Sequence, residues 1–217
     1  MKSKEKTRVK QRLNHHLILG LISIVLLAGV YFTLESPDAT FKWSMSTAYV
    51  SLLFLGLTLL TGPINLLRKR KNPVSTDLRR DIGIWSGIIG LAHVIIGWQV
   101  HMGNMLLYFF KEDKITKELT LRSDLFGFAN YTGLVGAIIL IMLLALSNDL
   151  TLRKLKAPRW KYWQRWNYVF YLLVIIHAIS YQVIENRKLP YPLILMFLIL
   201  PVLIIQLRGY FFYKKYR

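Results

Sequence analysis

Long apolar segments alternate with short, strongly charged segments along most of the chain. A transmembrane helix needs roughly 20 apolar residues to cross about 30 Å of hydrocarbon. Six segments are long enough, namely residues 17–34, 45–67, 82–102, 131–147, 166–183 and 190–207. The pattern therefore predicts an all-α membrane protein that folds as a bundle of six transmembrane helices. Pro201 can kink the last of these helices, because proline removes a backbone donor.

The segments outside the six spans are shorter and more polar. Residues 1–16 form a basic arm that we expect to be disordered, and residues 208–217 form a basic tail. Residues 17–207 form the helical domain between them. The longest connection covers residues 101–128. Its first part, residues 105–110, either extends the third helix or lies along the membrane interface.

Lysine and arginine are concentrated on one predicted side of the membrane. That side carries four of the 11 acidic residues and 22 of the 29 basic residues, the latter in segments 1–16, 68–80, 148–165 and 208–217. The other side carries equal numbers of acidic and basic residues. Because cytoplasmic loops carry the excess of Lys and Arg, both termini are predicted to be cytoplasmic.

The overall composition supports a membrane protein. Of the 217 residues, 54% are hydrophobic, and the mean hydropathy is +0.37. A soluble domain of this length does not need so large an apolar fraction to form its core. A net charge of +18 could indicate nucleic-acid binding, but the cations lie in short loops between apolar segments. We therefore expect membrane lipid and no nucleic acid as a partner. The absence of cysteine excludes disulfides, thiolate metal sites and cysteine nucleophiles.

Two histidines are the ionisable residues that lie well inside the predicted spans. His93 is 12 residues past Asp81, and His177 is 12 residues past Arg165. Both helices run outward from the cytoplasmic side, so each imidazole lies roughly 18 Å along its helix, slightly beyond the middle of the membrane. Two imidazoles at one depth on parallel helices could bind one metal, and a heme suits a helical bundle.

Other interpretations of the histidine pair are open. Each imidazole could make a structural hydrogen bond, or the pair could be a polar relay in a transporter or channel. Transport has less support, since the predicted membrane core holds no carboxylate and no inverted repeat is evident. His101 lies about 80° around its helix from His93, level with Glu185, and is predicted to be a surface residue. His15 and His16 are expected at the interface.

Small residues surround the first of the two core histidines. Ser86, Gly90, His93 and Gly97 are spaced by four, three and four residues, so they share one face of the third helix. Small side chains there would let a flat macrocycle approach the backbone. The same spacing is also typical of ordinary packing between membrane helices.

Two pairs of motifs resemble the ferric reductase-like transmembrane domain. The segments LRRDIGIW (78–85) and LAH (91–93) are similar to its third helix, and WKYWQRWNY (160–168) and IHA (176–178) to its fifth. The superfamily includes ferric reductases, NADPH oxidases and the heme-binding membrane subunit of the bacterial methionine sulfoxide reductase system. The resemblance covers roughly residues 45–207.

This resemblance implies a six-helix bundle with a b-type heme ligated by His93 and His177. Many members of the superfamily bind a second heme through histidines about 13 residues before those two. Gln164 stands at that position before His177, and Arg79 and Arg80 stand at the equivalent positions before His93. None of these is a typical iron ligand, so the resemblance predicts a single heme.

The cytoplasmic side offers a second candidate site. Its residues are Arg79, Arg80, Lys161, Arg165, Trp163 and Trp166. Related six-helix metalloreductases bind a flavin on this side, and these residues could bind its phosphates and stack on its ring, or Gln164 could mark a quinone site. The alternative is that they are ordinary cytoplasmic charges and interfacial tryptophans.

The function implied by the resemblance is electron transfer across a bacterial plasma membrane. No Gly-rich dinucleotide loop is present, so we expect the donor to be a separate protein, a diffusible flavin or a quinol. The expected acceptor on the outer face is a ferric chelate or a periplasmic redox protein, which would dock at residues 103–124. Apart from a transporter, the remaining alternative is a heme-free scaffold of the same fold.

Overall fold

The structure is a computed structural model that describes residues 2–69, 77–101 and 103–215. Four predicted features lie partly outside these ranges. The parts outside are the first residue of the basic arm, residues 70–76 of a cytoplasmic loop, residue 102 at the end of the third span, and the last two residues of the basic tail.

The described chain consists of helices and one small hairpin. The helices are α1 (Lys2–Thr33), α2 (Ala39–Leu67), α3 (Asp77–Gly97), α4 (Leu125–Leu146), α5 (Asp149–Gln164), α6 (Trp166–Ile184) and α7 (Tyr191–Lys215). A 3-10 turn, Met105–Tyr108, is followed by strands β1 (Phe110–Glu112) and β2 (Leu119–Leu121). The two strands pair antiparallel, with Phe110 opposite Leu121.

The predicted six-span architecture is confirmed. Six helices in the described ranges are long and apolar enough to cross a membrane, with α5 and α6 counted as one continuous segment. Large apolar side chains cover the outside of the bundle, for example Val25, Phe32 and Phe197, which are 69%, 80% and 71% exposed. A surface of this kind requires hydrocarbon around it, so the protein is a multi-pass membrane protein.

Several connections differ from the predictions. The arm predicted to be disordered is helical from Lys2 onward, as part of α1. The predicted loop at residues 148–165 is largely the helix α5, which bends at Lys156, where the backbone adopts a positive φ of 60°. Residues 105–110 do not extend α3. They form the 3-10 turn and enter β1 instead.

The helices α2, α3, α4, α6 and α7 form the main bundle, and α1 packs on its outside against α2 and α3. The largest group of buried apolar side chains comes from α2, α4, α6 and α7, including Leu59, Leu143, Phe170 and Val202. Small polar residues bring α2 and α3 together. Ser51 Oγ donates to the carbonyl of Ser86, and Ser86 Oγ donates to the carbonyl of Ser51, each at 2.9 Å.

Ion pairs hold the start of α1 against α3 and α5. The side chain of Asp81 has no exposed surface, and it accepts hydrogen bonds from Arg12 Nη2 at 2.7 Å and contacts His15 Nδ1 at 3.0 Å. Arg12 Nη1 also lies 3.4 Å from Asp149 Oδ2. Asp81 is the buried centre of this contact, and its charge is matched by Arg12.

Candidate functional site

The two core histidines lie side by side. The ring centroids of His93 on α3 and His177 on α6 are 6.3 Å apart, and the ring planes are inclined at 79°. His93 lies about one turn before α3 ends at Gly97, and His177 about two turns before α6 ends at Ile184. The pair therefore lies nearer to the end of the bundle that carries the β-hairpin, which we call the hairpin end.

Backbone carbonyls fix both imidazoles. His93 Nδ1 lies 3.0 Å from the carbonyl oxygen of Ser44 on α2, and His177 Nδ1 lies 2.8 Å from that of Ala129 on α4. A carbonyl can only accept, so each Nδ1 must carry the hydrogen, and each Nε2 is left with its lone pair. Among the described residues, neither Nε2 has a hydrogen-bond partner. This arrangement is typical of histidines that bind a metal through Nε2, because a second group fixes the tautomer and the ring.

Both histidines line one cavity of about 180 Å³ between α2, α3, α4 and α6. Much of the cavity wall is apolar, with Leu52, Leu55, Leu140 and Phe170 at the end farther from the hairpin. Many lining residues are small, namely Ala48, Ser51, Gly90, Gly97, Gly133, Gly136, Ala137 and Ala178. The small residues leave space beside the imidazoles that larger side chains would fill.

The three small residues that the sequence singled out on α3 have different surroundings. Gly90 and Gly97 line the cavity, whereas Ser86 does not, and the Ser86 hydroxyl donates to the carbonyl of Ser51. A Cβ on Gly90 would lie 3.0 Å from Ser51 Oγ, and a Cβ on Gly97 would lie 3.7 Å from Ser44 Oγ. Ser86 and Gly90 thus serve helix packing, and Gly97 is the most open of the three.

Gly133 on α4 is a site residue that the sequence analysis missed. A Cβ at this position would lie 2.8 Å from His177 Nδ1 and 2.9 Å from its Cε1, closer than side chains normally approach. Glycine is therefore required there for the imidazole to reach the carbonyl of Ala129. The glycines of α4 were visible in the sequence, but nothing in their spacing indicated that one of them faces His177.

Polar residues line the cavity at the hairpin end. His101 Nε2 lies 3.0 Å from Glu185 Oε1, and Arg187 Nε lies 2.7 Å from Glu185 Oε2. The ring of Tyr181 lies between His177 and His101. Its centroid is 5.0 Å from that of His177 and 5.6 Å from that of His101, on which it stacks. His101 was predicted to be a surface residue. It is exposed in the structure, and it also lines the cavity.

The charge of Glu185 is stabilised by these contacts. Its burial alone would raise the pKa of the carboxyl group, because desolvation disfavours the charged form. The hydrogen bonds with His101 and Arg187 outweigh that effect and hold the pKa of Glu185 below its ordinary value. Glu185 is therefore ionised at neutral pH and can fix the side chain of Arg187.

The candidates on the opposite side of the bundle do not line the cavity. Arg79 Nε donates to the carbonyl of Thr58 at 3.0 Å, and Arg80 Nη1 lies 2.6 Å from Asp149 Oδ1. Gln164 is the last residue of α5, and Arg165 joins α5 to α6. Exposed side chains at this junction are Lys161, Trp163, Arg165 and Trp166.

Comparison with known proteins connects this geometry to a family. The sequence model of one family, described as the ferric reductase like transmembrane component, matches residues 42–175. The match covers more than half of the chain, includes His93 and ends two residues before His177. No curated protein matches the chain. The family relation predicted from the two pairs of motifs is thus confirmed, and it indicates electron transfer in the membrane: the chain belongs to the ferric reductase-like transmembrane component family.

Proposed function

We propose that this protein is a single-heme electron-transfer protein of the bacterial plasma membrane, in which His93 and His177 would hold the heme. The observation that carries the proposal is the pair of imidazoles in one cavity, each with Nδ1 bonded to a carbonyl and Nε2 left for a metal. Members of the family generally bind heme, and the residues present in this cavity fit that cofactor.

The number of ligands favours a macrocycle over a bare ion. No group of three or more His, Cys, Asp or Glu side chains suited to a metal occurs in the described ranges of the chain. A bare transition-metal ion usually takes at least four protein or water ligands. Two imidazoles in an apolar cavity instead fit an iron whose other four ligands are supplied by a porphyrin.

The spacing of the rings fits as well. An imidazole nitrogen binds a metal at about 2.1 Å, so two imidazoles that hold the same metal have ring centres at most about 6.4 Å apart. The centroids of His93 and His177 are 6.3 Å apart. The pair could thus bind one metal without a change in the separation of α3 and α6.

A bound b-type heme would supply reversible one-electron chemistry at its iron. His93 and His177 would leave no open coordination position, which favours electron transfer over oxygen activation. The carbonyls of Ser44 and Ala129 would hold the two rings and increase their basicity. The apolar wall of the cavity would exclude water, so the same residues would also set the redox potential.

The charge distribution supports an orientation for this transfer. The excess of Lys and Arg on one side favours cytoplasmic termini, which would put the hairpin end on the outside. Electrons would then come from a cytoplasmic flavin, a separate donor protein or a quinol, and Gln164, Arg79, Arg80 and Arg165 would lie toward that donor. The electrons would then pass to a ferric chelate or a periplasmic redox protein that docks at residues 103–124.

The test is the heme content of the purified protein. We expect about one b heme per chain by the pyridine hemochrome assay, reduced by dithionite and reoxidised by ferric chelates. His93→Ala and His177→Ala should each lose the heme. His101→Ala is the matched control, because His101 lines the same cavity but is paired with Glu185.

The possible outcomes separate the proposal from its rivals. Colourless wild-type protein after expression with ample heme would contradict it and would favour a transporter or a heme-free scaffold. Two hemes per chain would contradict the single-heme interpretation of Gln164. Heme that survives in either His93→Ala or His177→Ala but disappears in His101→Ala would show that a different pair of ligands is used.

A further inference from the structure

The cavity that holds the histidine pair has one apolar end and one polar end. The apolar end is formed by residues such as Leu55, Leu140 and Phe170. The polar end, at the hairpin end of the bundle, contains Tyr49, Gln182, Glu185 and Arg187, together with His101. A ligand that fills the cavity and is apolar throughout would leave these polar groups without partners, at a considerable cost.

Buried polar atoms at this end are incompletely hydrogen-bonded. The hydroxyl of Tyr49 and the side-chain oxygen of Gln182 are fully buried, and their interaction with each other falls short of a well-formed hydrogen bond. Tyr49 itself is only 7% exposed. Buried polar groups are almost always hydrogen-bonded in folded proteins, so two such atoms beside one cavity indicate a ligand with polar atoms at that edge.

Arg187 adds a positive charge to the same edge. Its Nε is bonded to Glu185 at 2.7 Å, and its guanidinium lies 5.7 Å from the ring centre of Phe41. Within the described part of the chain, its two terminal nitrogens make no hydrogen bond. Glu185, which is also in contact with His101, therefore positions a guanidinium whose remaining donors are available to a carboxylate.

We propose that Arg187, Tyr49 and Gln182 form a carboxylate-binding edge that receives the propionates of the heme and so fixes its orientation in the cavity. This inference rests on the proposed function, and it names the part of the heme that these residues bind. The donors are the terminal nitrogens of Arg187, the hydroxyl of Tyr49 and the amide of Gln182, whose oxygen and nitrogen can exchange places by rotation. The propionates would thus lie toward the hairpin end, beside the docking region for the acceptor.

The test compares two forms of the cofactor. Protein expressed under heme-poor conditions is titrated in detergent with protoheme and with protoheme dimethyl ester, in which both carboxylates are blocked. We expect the wild type to bind the free acid at least about tenfold more tightly than the ester, because a charge-assisted hydrogen bond contributes that much. The reduction potential of the bound heme is measured in parallel.

Substitutions assign the preference to particular residues. Arg187→Gln and Tyr49→Phe should each reduce the preference for the free acid several-fold and leave binding of the ester nearly unchanged. Arg187→Lys should restore part of the preference. Tyr171→Phe is the matched control, because this buried tyrosine on α6 does not line the cavity and its hydroxyl contacts the carbonyl of Ile199 at 3.4 Å.

The outcomes distinguish this inference from the proposed function. If the wild type binds neither form, the proposed function fails, and this inference fails with it. If both forms bind through His93 and His177 with equal affinity, or if the preference survives in both Arg187→Gln and Tyr49→Phe, the heme site stands and the carboxylate-binding edge is wrong.

Discussion

Gly133 provides a sensitive test of the histidine geometry, because the substitution Gly133→Ala adds one carbon next to His177. That carbon would lie 2.8 Å from Nδ1, whereas ordinary contacts begin at 3.4 Å, so the ring must move by about 0.6 Å. The movement is directed away from α4, where Nδ1 is bonded to the carbonyl of Ala129 at 2.8 Å. The substitution should therefore weaken or break that hydrogen bond.

The expected effect is on both cofactor binding and stability. Loss of the group that orients a metal-binding histidine typically reduces affinity about 10–100-fold. Overpacking of this kind costs about 1–3 kcal/mol of unfolding free energy. We therefore expect Gly133→Ala to be purified with much less heme than the wild type and to unfold at a lower temperature, as measured by absorbance and by thermal unfolding in detergent.

Gly136→Ala is the control for this prediction. It places the same methyl group one turn farther along α4, in the same cavity, where its nearest neighbour is Phe170 Cε2 at an ordinary 3.7 Å. This variant should keep its heme. If Gly133→Ala and Gly136→Ala hold equal amounts of heme, His177 is not positioned by the contact with Ala129, and the reasoning about its tautomer is refuted.

Three further predictions concern polar contacts. Asp81→Asn should lower the unfolding free energy by about 3 kcal/mol in detergent, because it leaves Arg12 without a full countercharge in a buried contact; an unchanged unfolding temperature would contradict this. The lowered pKa of Glu185 means that its contribution to stability is complete above about pH 4.5 and is lost as the pH falls below that value, so Glu185→Gln should reduce the acid sensitivity of unfolding. If the unfolding temperatures of the wild type and Glu185→Gln fall in parallel as the pH is lowered, that account is contradicted. Tyr181→Phe removes a 2.9 Å hydrogen bond to Asn130 and should cost about 1 kcal/mol without loss of heme, measured by thermal unfolding and heme content.

The amino-acid sequence predicted the helices and the central pair of residues because both depend on local patterns. Segment length and hydropathy determine which helices can span a membrane, and α6 begins at Trp166, as expected. Asp81 and Arg165 mark the predicted cytoplasmic ends of the two spans. Because His93 and His177 each lie 12 residues beyond one of them, the two histidines could be assigned the same depth in the membrane. Equal depth on parallel helices was then sufficient to bring the two rings together.

The partners of these residues could not be predicted in the same way. The carbonyls that fix the imidazoles belong to Ser44 and Ala129, on helices whose rotation depends on packing with three or four neighbours. The same applies to Gly133, whose requirement for glycine arises only from its distance to His177. The hairpin formed by β1 and β2 is only three residues long in each strand, too short for alternation to be recognised.

The central claim, that both histidines bind one iron, is tested most directly by low-temperature electron paramagnetic resonance of the oxidised protein. Two nearly perpendicular imidazoles, inclined at 79° here, predict a single low-spin ferric signal with the strong anisotropy typical of that arrangement. The signal should disappear in both His93→Ala and His177→Ala. A high-spin ferric signal in the wild type would mean an open coordination position, and it would contradict the assignment of two histidine ligands.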